Sequence, residues 1–245
     1  MSLTWLSGSA RPYASRLGPA TAAVEVLLDH LAEVGFQGAP RSLGRDEFGR
    51  HILGYVPGEM ADSLPPLTAG ELHRLGKFIR ELHDAAESFQ PPTAPQWNVP
   101  QWNVVIAPDR EDLICHHDLA PWNLVRDGDR WVFIDWDGAG PGSRLWDLAY
   151  AASTFVPFCA GGDPDLDGPR LRAPADGYGL DQQQRTAVPA LIGAHTRGMY
   201  DLLHSASLGE QPWARLYAEG HGEHWGPAAD YIEAHLERWT SALLD

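Results

Sequence analysis

Apolar positions recur along the chain with two periods that alternate. After Pro19, Ala23, Val24, Leu27, Leu28, Leu31 and Val34 share one face of a helix that Gly35 ends. Two short strand-like runs follow, residues 41–44 and 51–56, on either side of the turn-forming Asp46-Glu47-Phe48-Gly49. Thr68 and Glu71 then make a T-x-x-E capping box for a second helix carrying Leu72, Leu75, Phe78, Ile79 and Leu82 on one face. Residues 90–110 are proline-rich and repeat Gln-Trp-Asn-Val at 96–99 and 101–104. Two copies predict a connecting loop, not a repeat architecture.

The strand period returns at 124–126 and 130–134, with the Asp-Gly turn signal in Asp127-Gly128-Asp129 between them, so a hairpin is predicted. A helix is predicted from about 144 to 155, and the Gly-, Pro- and Asp-rich stretch 159–179 reads as a mobile loop. Asp181 can cap a further helix, which Pro189 either kinks or restarts. A last helix is expected from near Pro227, with Tyr231, Ile232, His235, Leu236, Trp239 and Leu243 at helical spacing.

Composition narrows the partners. The chain has 18 Lys plus Arg against 33 Asp plus Glu, a net charge of −15. That balance opposes binding to nucleic acid or an anionic membrane and favours a cationic ligand, although acidic surfaces also serve solubility alone. Cys115 and Cys159 make no disulfide framework, and Cys115, in an apolar run, reads as a buried thiol. No apolar run reaches the roughly 18 residues of a membrane span, and Arg11, Pro12 and Arg16 interrupt the start, so no signal peptide is expected. The expected location is the cytoplasm.

The candidate chemistry sits around the predicted hairpin. Asp118 is followed five residues later by Asn123, and Asp135 ends the second strand. A hairpin brings its two ends together, so Asn123 and Asp135 would lie side by side as oxygen ligands for one hard cation such as Mg²⁺. With Asp118 placed to take a hydroxyl proton, this is what phosphoryl transfer from a nucleotide requires.

The segments ICHHDLAPWNLV and WVFIDWDGAGPGSRLWDLAYA resemble the aminoglycoside phosphotransferase and choline kinase-like family, relatives of the protein kinases, and most of all its short actinobacterial-type members. A weaker likeness runs from Val24 to the C-terminus. The resemblance implies an α+β, protein kinase-like two-lobe fold: a reduced N-terminal β lobe and hinge over residues 1–58 and a mainly helical catalytic lobe over 59–245. It implies Asp118 as catalytic base, Asn123 and Asp135 as magnesium ligands, and Asp137 as a second acid near the metal. His116 would buttress the catalytic loop, and Asp147 would bond that loop's backbone. Tyr55 and Val56 would form the hinge that holds the nucleotide base. The implied cofactors are Mg²⁺ with ATP or GTP, and the partner is a small-molecule hydroxyl acceptor, not a nucleic acid or membrane.

One part of the family pattern is missing. No glycine-rich strand-turn-strand and no lysine precede the hinge, and the single lysine of the chain is Lys77. Arg11, or Arg16, could take over the phosphate grip with Glu25 as its ion-pair partner, although arginine is a poor substitute for a compact ammonium. A longer upstream chain could also supply the missing parts. Two other functions compete. One is a catalytically silent binding protein that lost the grip. The other is a metal-dependent hydrolase built on His116, His117, Asp118, Asp135 and Asp137, which fails because histidine ligands recur on a helix or across strands and not in one pre-turn pair. Glu219, His221, Glu223 and His224 fit no common zinc spacing and read as a polar loop; the resemblance implies that this region helps line the acceptor pocket, where Glu219, Glu223 or Asp230 would meet a cationic acceptor.

Overall fold

The helix after Pro19 forms because its apolar stripe has something to cover. In the computed structural model, which describes residues 13–14, 18–91, 93, 95–97, 110–156, 158–206 and 213–245, α1 (Thr21–Glu33) buries Ala23, Val24, Leu27, Leu28 and Leu31. Pro19 and Ala20 form the turn before it, Val34 is its exposed C-cap, and Gly35 adopts φ +90° beyond it. Next, β2 (Ser42–Arg45) and β3 (His51–Leu53) pair antiparallel around a turn in which Asp46 Oδ1 accepts the N–H groups of Phe48 and Arg50. β1 (Tyr13–Ala14) adds to the other edge of β3, giving the order β1-β3-β2.

The chain leaves this small sheet through residues 54–58. Gly58 has φ +135°, and a Cβ there would lie 2.5 Å from the Arg126 carbonyl oxygen, so only glycine suits the crossing. β4 (Glu59–Met60) follows at once and pairs with β6 (Leu124–Asp127), which pairs in turn with β7 (Arg130–Phe133). The loop residues of that hairpin are Gly128 and Asp129, and φ is positive at Gly128 and not at Asp129. That is the II′ pattern with glycine first, instead of the I′ pattern that Asp-Gly signals.

α2 (Ala69–Glu87) starts at the capping box read from the sequence: Thr68 Oγ1 accepts the Glu71 N–H, and the Glu71 carboxylate accepts the Thr68 N–H. Phe36, Phe78 and Phe133 stack with ring centroids 5.6 and 5.2 Å apart, joining α1's exit, α2 and the hairpin. One apolar cluster runs from Leu27, Leu28 and Leu31 through Leu72, Leu75 and Ile79 to Phe133, Leu148 and Trp239. Burying several such side chains, each contributing about 1.5–3 kcal/mol, fixes where the hairpin sits.

Two helical expectations need correcting, and of the two outcomes expected at Pro189 the restart does not occur. Residues 159–179 hold α4 (Pro164–Tyr178), a helix despite internal Pro169 and Pro174. Asp163 caps it, Pro164 suits its first turn and Gly179, φ +79°, closes it, while Gly76 of α2 and Gly177 of α4 let the two backbones touch. A Cβ on Gly76 would meet the Pro174 carbonyl oxygen at 1.9 Å. Packing against α2 thus overrides the propensity cost of the prolines. α5 (Gln182–Ala206) is one helix through Pro189, started by a reciprocal Asp181–Gln184 pair. α6 (Trp213–Ala218) precedes the last segment, which begins earlier than Pro227 and is two helices, α7 (His221–Ala234) and α8 (Leu236–Leu244), broken at His235. His221, Glu223 and His224 therefore lie on the first turn of α7, not in a loop. A helix over 144–155 is present as α3 (Arg144–Phe155). Ahead of it, β5 (Leu113–Cys115) pairs with β8 (Gly140–Gly142), a strand that Gly-Pro-Gly hides because its pairing uses backbone alone. Among the described residues no helix is long and apolar enough to cross a membrane.

Candidate active site

The loop from His116 to Asn123 is held in place almost entirely by buried side chains. Asp147, on the first turn of α3 and fully buried, accepts the His117 N–H at Oδ1 (2.9 Å) and the His116 N–H at Oδ2 (3.2 Å). His83 of α2 reaches Asp147 Oδ2 with Nε2 at 3.1 Å. Burial opposes ionisation of Asp147, but the His83 hydrogen bond and the histidines around it outweigh that cost and bring its carboxyl down to about 2. His116 Nδ1 accepts the Asp118 N–H (3.2 Å), so its Nε2 carries the proton that points to the Ile134 carbonyl oxygen (3.1 Å). One buried ring thus joins the loop to the far end of the hairpin.

Two non-glycine residues among those described have positive φ, His117 at 65° and Asp135 at 63°. Both flank the candidate chemistry. Left-handed backbone at such residues costs about 1–3 kcal/mol and persists where the surroundings impose it. His117 is locked by Asp147 at its N–H and by the Gly140 and Pro141 carbonyls at Nε2, both 3.1 Å. Gly142 leaves room for that ring, since a Cβ there would lie 2.7 Å from His117 Cε1.

Asp118 is gripped at both oxygens. Tyr150 of α3 donates its hydroxyl to Oδ1 (2.9 Å), and Asn123 Nδ2 donates to Oδ2 (2.8 Å) and to the Asp118 carbonyl (2.9 Å). Both of those partners are acceptors, so the amide nitrogen must face them, and the Asn123 oxygen takes no hydrogen bond among the described residues. Burial pushes the Asp118 carboxyl up to about 6, with the Asp135 carboxylate adding and the Tyr150 and Asn123 hydrogen bonds opposing. The partly exposed Trp122 indole is a further side-chain partner of Asp118.

The hairpin ladder continues beyond its strands, because the Ile134 N–H donates to the Asn123 carbonyl (2.8 Å). Asn123 and Asp135 therefore sit at the same open end, one residue out of register. Asp135 is solvent-exposed, as is Asp137 in the short turn that follows. Partial loss of water and the nearby Asp135 push Asp137 up to about 6; because its surface is still open, the Asp135 field is the part a cation arriving from solution would cancel. An amide oxygen and two carboxylates whose mutual repulsion is uncompensated suit a hard divalent ion. His83, Cys115 and Asp147 also come within 4.8 Å of one another, but Asp147 is spent on hydrogen bonds and burial keeps the Cys115 thiol protonated. That group is a buried hydrogen-bonded cluster.

The remaining sequence-predicted residues lie in the small lobe or beyond it. Val56 is buried against Val125, Val132 and Ile134, so the segment expected to form the hinge rests directly on the hairpin, while Tyr55 is exposed. Glu25 pairs with Arg45 at 2.7 Å; Arg11 and Arg16 lie outside the described residues. Asp230 is held by Arg197 (2.6 Å), which also takes Glu233, and Glu219 lies near Arg215 and His221. Sequence reasoning missed Tyr150, His83 and Trp122, and named His117 only in the rejected hydrolase. Tyr150 was within reach of it, three residues beyond Asp147 on the same helix face. His83 lies 64 residues from its partner and carries no local signal.

A profile of the Phosphotransferase enzyme family matches residues 96–182. The trifolitoxin immunity protein of Rhizobium leguminosarum bv. trifolii is 33% identical over 179 residues, covering 69% of this chain and 67% of that protein. Among solved structures, a microcompartment-associated aminopropanol kinase superposes with a TM-score of 0.63 at 17% identity, over 94% of this chain and 84% of its own. An amicoumacin kinase in complex with AMP-PNP and Ca²⁺ gives 0.63 at 14%, over 89% and 78%. A choline/ethanolamine kinase family protein from Mesorhizobium loti gives 0.59 at 18%, over 91% and 82%. These likenesses establish the fold, a protein kinase-like arrangement with a reduced small lobe and a mainly helical large one.

Proposed function

The chain belongs to the phosphotransferase enzyme family, and we propose that it moves the γ-phosphoryl group of ATP or GTP to a hydroxyl of a small metabolite or antibiotic. The observation that carries this reading is Asp118, fixed at both oxygens by Tyr150 and Asn123 beside the exposed Asp135. Tyr150, Asn123 and Trp122 occupy three of the four Asp118 lone pairs and leave one for a hydroxyl, and a carboxyl near 6 is mostly ionised at neutral pH yet basic enough to accept a proton. Asp118 would orient the acceptor hydroxyl and take its proton. His116 and Asp147 would keep the loop that carries it in register.

The Asn123 oxygen and Asp135 would hold Mg²⁺, with Asp137 beside them, directly or through water. When bound, magnesium would draw charge from the donor phosphates. Residues 1–58 would form the nucleotide lobe, with the backbone at Tyr55 and Val56 meeting the base and Arg11, with Glu25 nearby, taking over the phosphate grip. Three carboxylates at the cleft and a net charge of −15 favour a cationic acceptor over an anionic one. Support for that class comes from the neighbour named for aminopropanol, an amino alcohol. The reading places the protein in the cytoplasm, with neither nucleic acid nor membrane as partner.

A second reading is a kinase-like binding protein that transfers nothing. It is favoured by the missing glycine-rich turn and lysine before the hinge, and by a relative that is named for immunity and not for transfer. Release of ADP or GDP over a panel of aminoglycosides, amino alcohols, nucleosides and neutral sugars separates the two. Turnover on amine-bearing alcohols is expected. Binding of a panel member without nucleotide turnover would favour the second reading, and turnover confined to anionic acceptors would overturn the charge argument.

A further inference from the structure

Behind Asp147 the hydrogen bonds continue away from the active site, and their direction is fixed. An ionised Asp147 can only accept, so His83 must donate from Nε2. The group facing the other ring nitrogen, Nδ1, is the Tyr178 hydroxyl at 2.8 Å. The Arg144 guanidinium, which can only donate, hydrogen-bonds the Tyr178 oxygen, so the tyrosine proton is left to fill the contact with His83 and Nδ1 accepts it. Arg144 is anchored in turn by Asp84 (2.8 Å) and Glu87 (3.4 Å). Burial pushes Tyr178 up to about 12, so it stays a donor at working pH.

We propose that Tyr178 and Arg144 are positioning residues: through His83 they hold Asp147, and with it the two loop amides that set the orientation of Asp118. The chain Arg144, Tyr178, His83, Asp147 ties α2, α3 and α4 together. Arg144 and Asp147 are three residues apart on α3, His83 and Asp84 are neighbours on α2, and Tyr178 closes α4. The glycine contact between α2 and α4 brings Tyr178 to His83, with the rings 5.6 Å apart and nearly perpendicular. If the tyrosine hydroxyl is lost, the buried His83 Nδ1 has no donor. Asp147 still demands the Nε2 proton, but the ring has lost the contact that holds its other nitrogen and can turn out of line with the Asp147 carboxylate. The orientation of the hydrogen bonds rests on a carboxylate acceptor at one end and a guanidinium donor at the other, while the consequence for turnover rests on the function proposed above.

The test has an arm that needs no activity. In the ¹⁵N-histidine-labelled full chain, His83 is expected as the Nε2–H tautomer. Tyr178→Phe should keep that tautomer, shift the His83 Nδ1 resonance that loses its hydroxyl partner, and speed exchange of the His116 and His117 amides about tenfold, leaving the Val125 amide of the hairpin unchanged. Unchanged shifts and exchange, or faster exchange everywhere, would overturn the proposal. In the kinetic arm, Tyr178→Phe and Arg144→Met should each lower kcat with the KM for nucleotide unchanged, and the double variant should lose no more than the worse single one. Arg144→Lys should recover part of the loss. Losses that multiply, or that fall on KM, would mean independent structural effects. A chain with no turnover at all would count against the proposed function and leave the first arm to decide this one.

Discussion

The loop around Asp118 and the small lobe are built by opposite means. In the loop, the polar groups that matter are buried and mutually committed: Asp147 takes two amides and a histidine, and His116 joins Asp118 to Ile134. In the small lobe, three short strands are tied by exposed pairs such as Glu25–Arg45 and Asp46–Arg50, and Leu43, Phe48 and Tyr55 stand in solvent. Buried networks are costly to disturb and exposed pairs contribute little. The difference teaches that the surroundings of Asp118 are preorganised by a buried polar network, whereas the small sheet relies on backbone pairing and exposed pairs, with the apolar stripe of α1 and Val56 seating that lobe on the rest of the molecule.

The largest effect should follow from emptying the centre of the network. Asp147→Ala leaves the His116 and His117 amides and the His83 ring without their acceptor, and should lower stability by about 3 kcal/mol or more. Urea unfolding measures it, and a loss under about 1 kcal/mol would mean that the loop is held by something else.

A smaller effect carries a sign. The Asp118 carboxyl is raised from 3.8 to about 6, so the folded state holds its proton more tightly than the unfolded chain. The stability it contributes is full below 3.8 and is lost as pH rises through 6. Asp118→Asn, which cannot ionise, should therefore gain on the wild-type protein by about 2 kcal/mol between pH 4.5 and 7.5 in metal-free solution. Thermal melts at the two pH values read the difference, and an equal gap at both would remove the raised value. By carbon NMR, Asp118 should titrate near 6 without metal, and Mg²⁺ should move that midpoint down by about one unit. A midpoint indifferent to Mg²⁺ would place the ion elsewhere.

The smallest effect belongs to the small lobe. Glu25→Gln removes an exposed ion pair with Arg45 and should change stability by less than about 0.5 kcal/mol. If Arg11 nevertheless uses Glu25 in the nucleotide complex, the KM for nucleotide will rise while stability holds, and that split would narrow the contrast between the two regions.

How much of this was legible in the sequence follows from the range of the interactions. The hairpin, the capping box and the Asp118, Asn123 and Asp135 spacing are local, and each depends on residues a few positions apart. α4 was hidden because Pro169, Pro174, Gly168 and Gly177 argue for a loop, and only the close approach to α2 across Gly76 makes a helix the better arrangement. β8 was hidden because Gly-Pro-Gly has no side-chain pattern for a partner to complete. His83 and Tyr178 were hidden for a third reason, as their partners lie 64 and 95 residues away and a lone histidine or tyrosine on a helix gives no sign of them.

The central claim is a division of labour, with Asp118 serving the hydroxyl and Asp135 with Asn123 serving the metal. Calorimetry of Mg·ATP and Mg·GTP binding to the wild-type protein, Asp118→Asn and Asp135→Asn tests it most directly, with ADP or GDP release measured on the same samples. Asp118→Asn should bind nucleotide within about twofold of wild type and lose turnover by about 10³-fold, whereas Asp135→Asn should lose the binding itself. Equal losses of binding in the two variants would contradict the assignment.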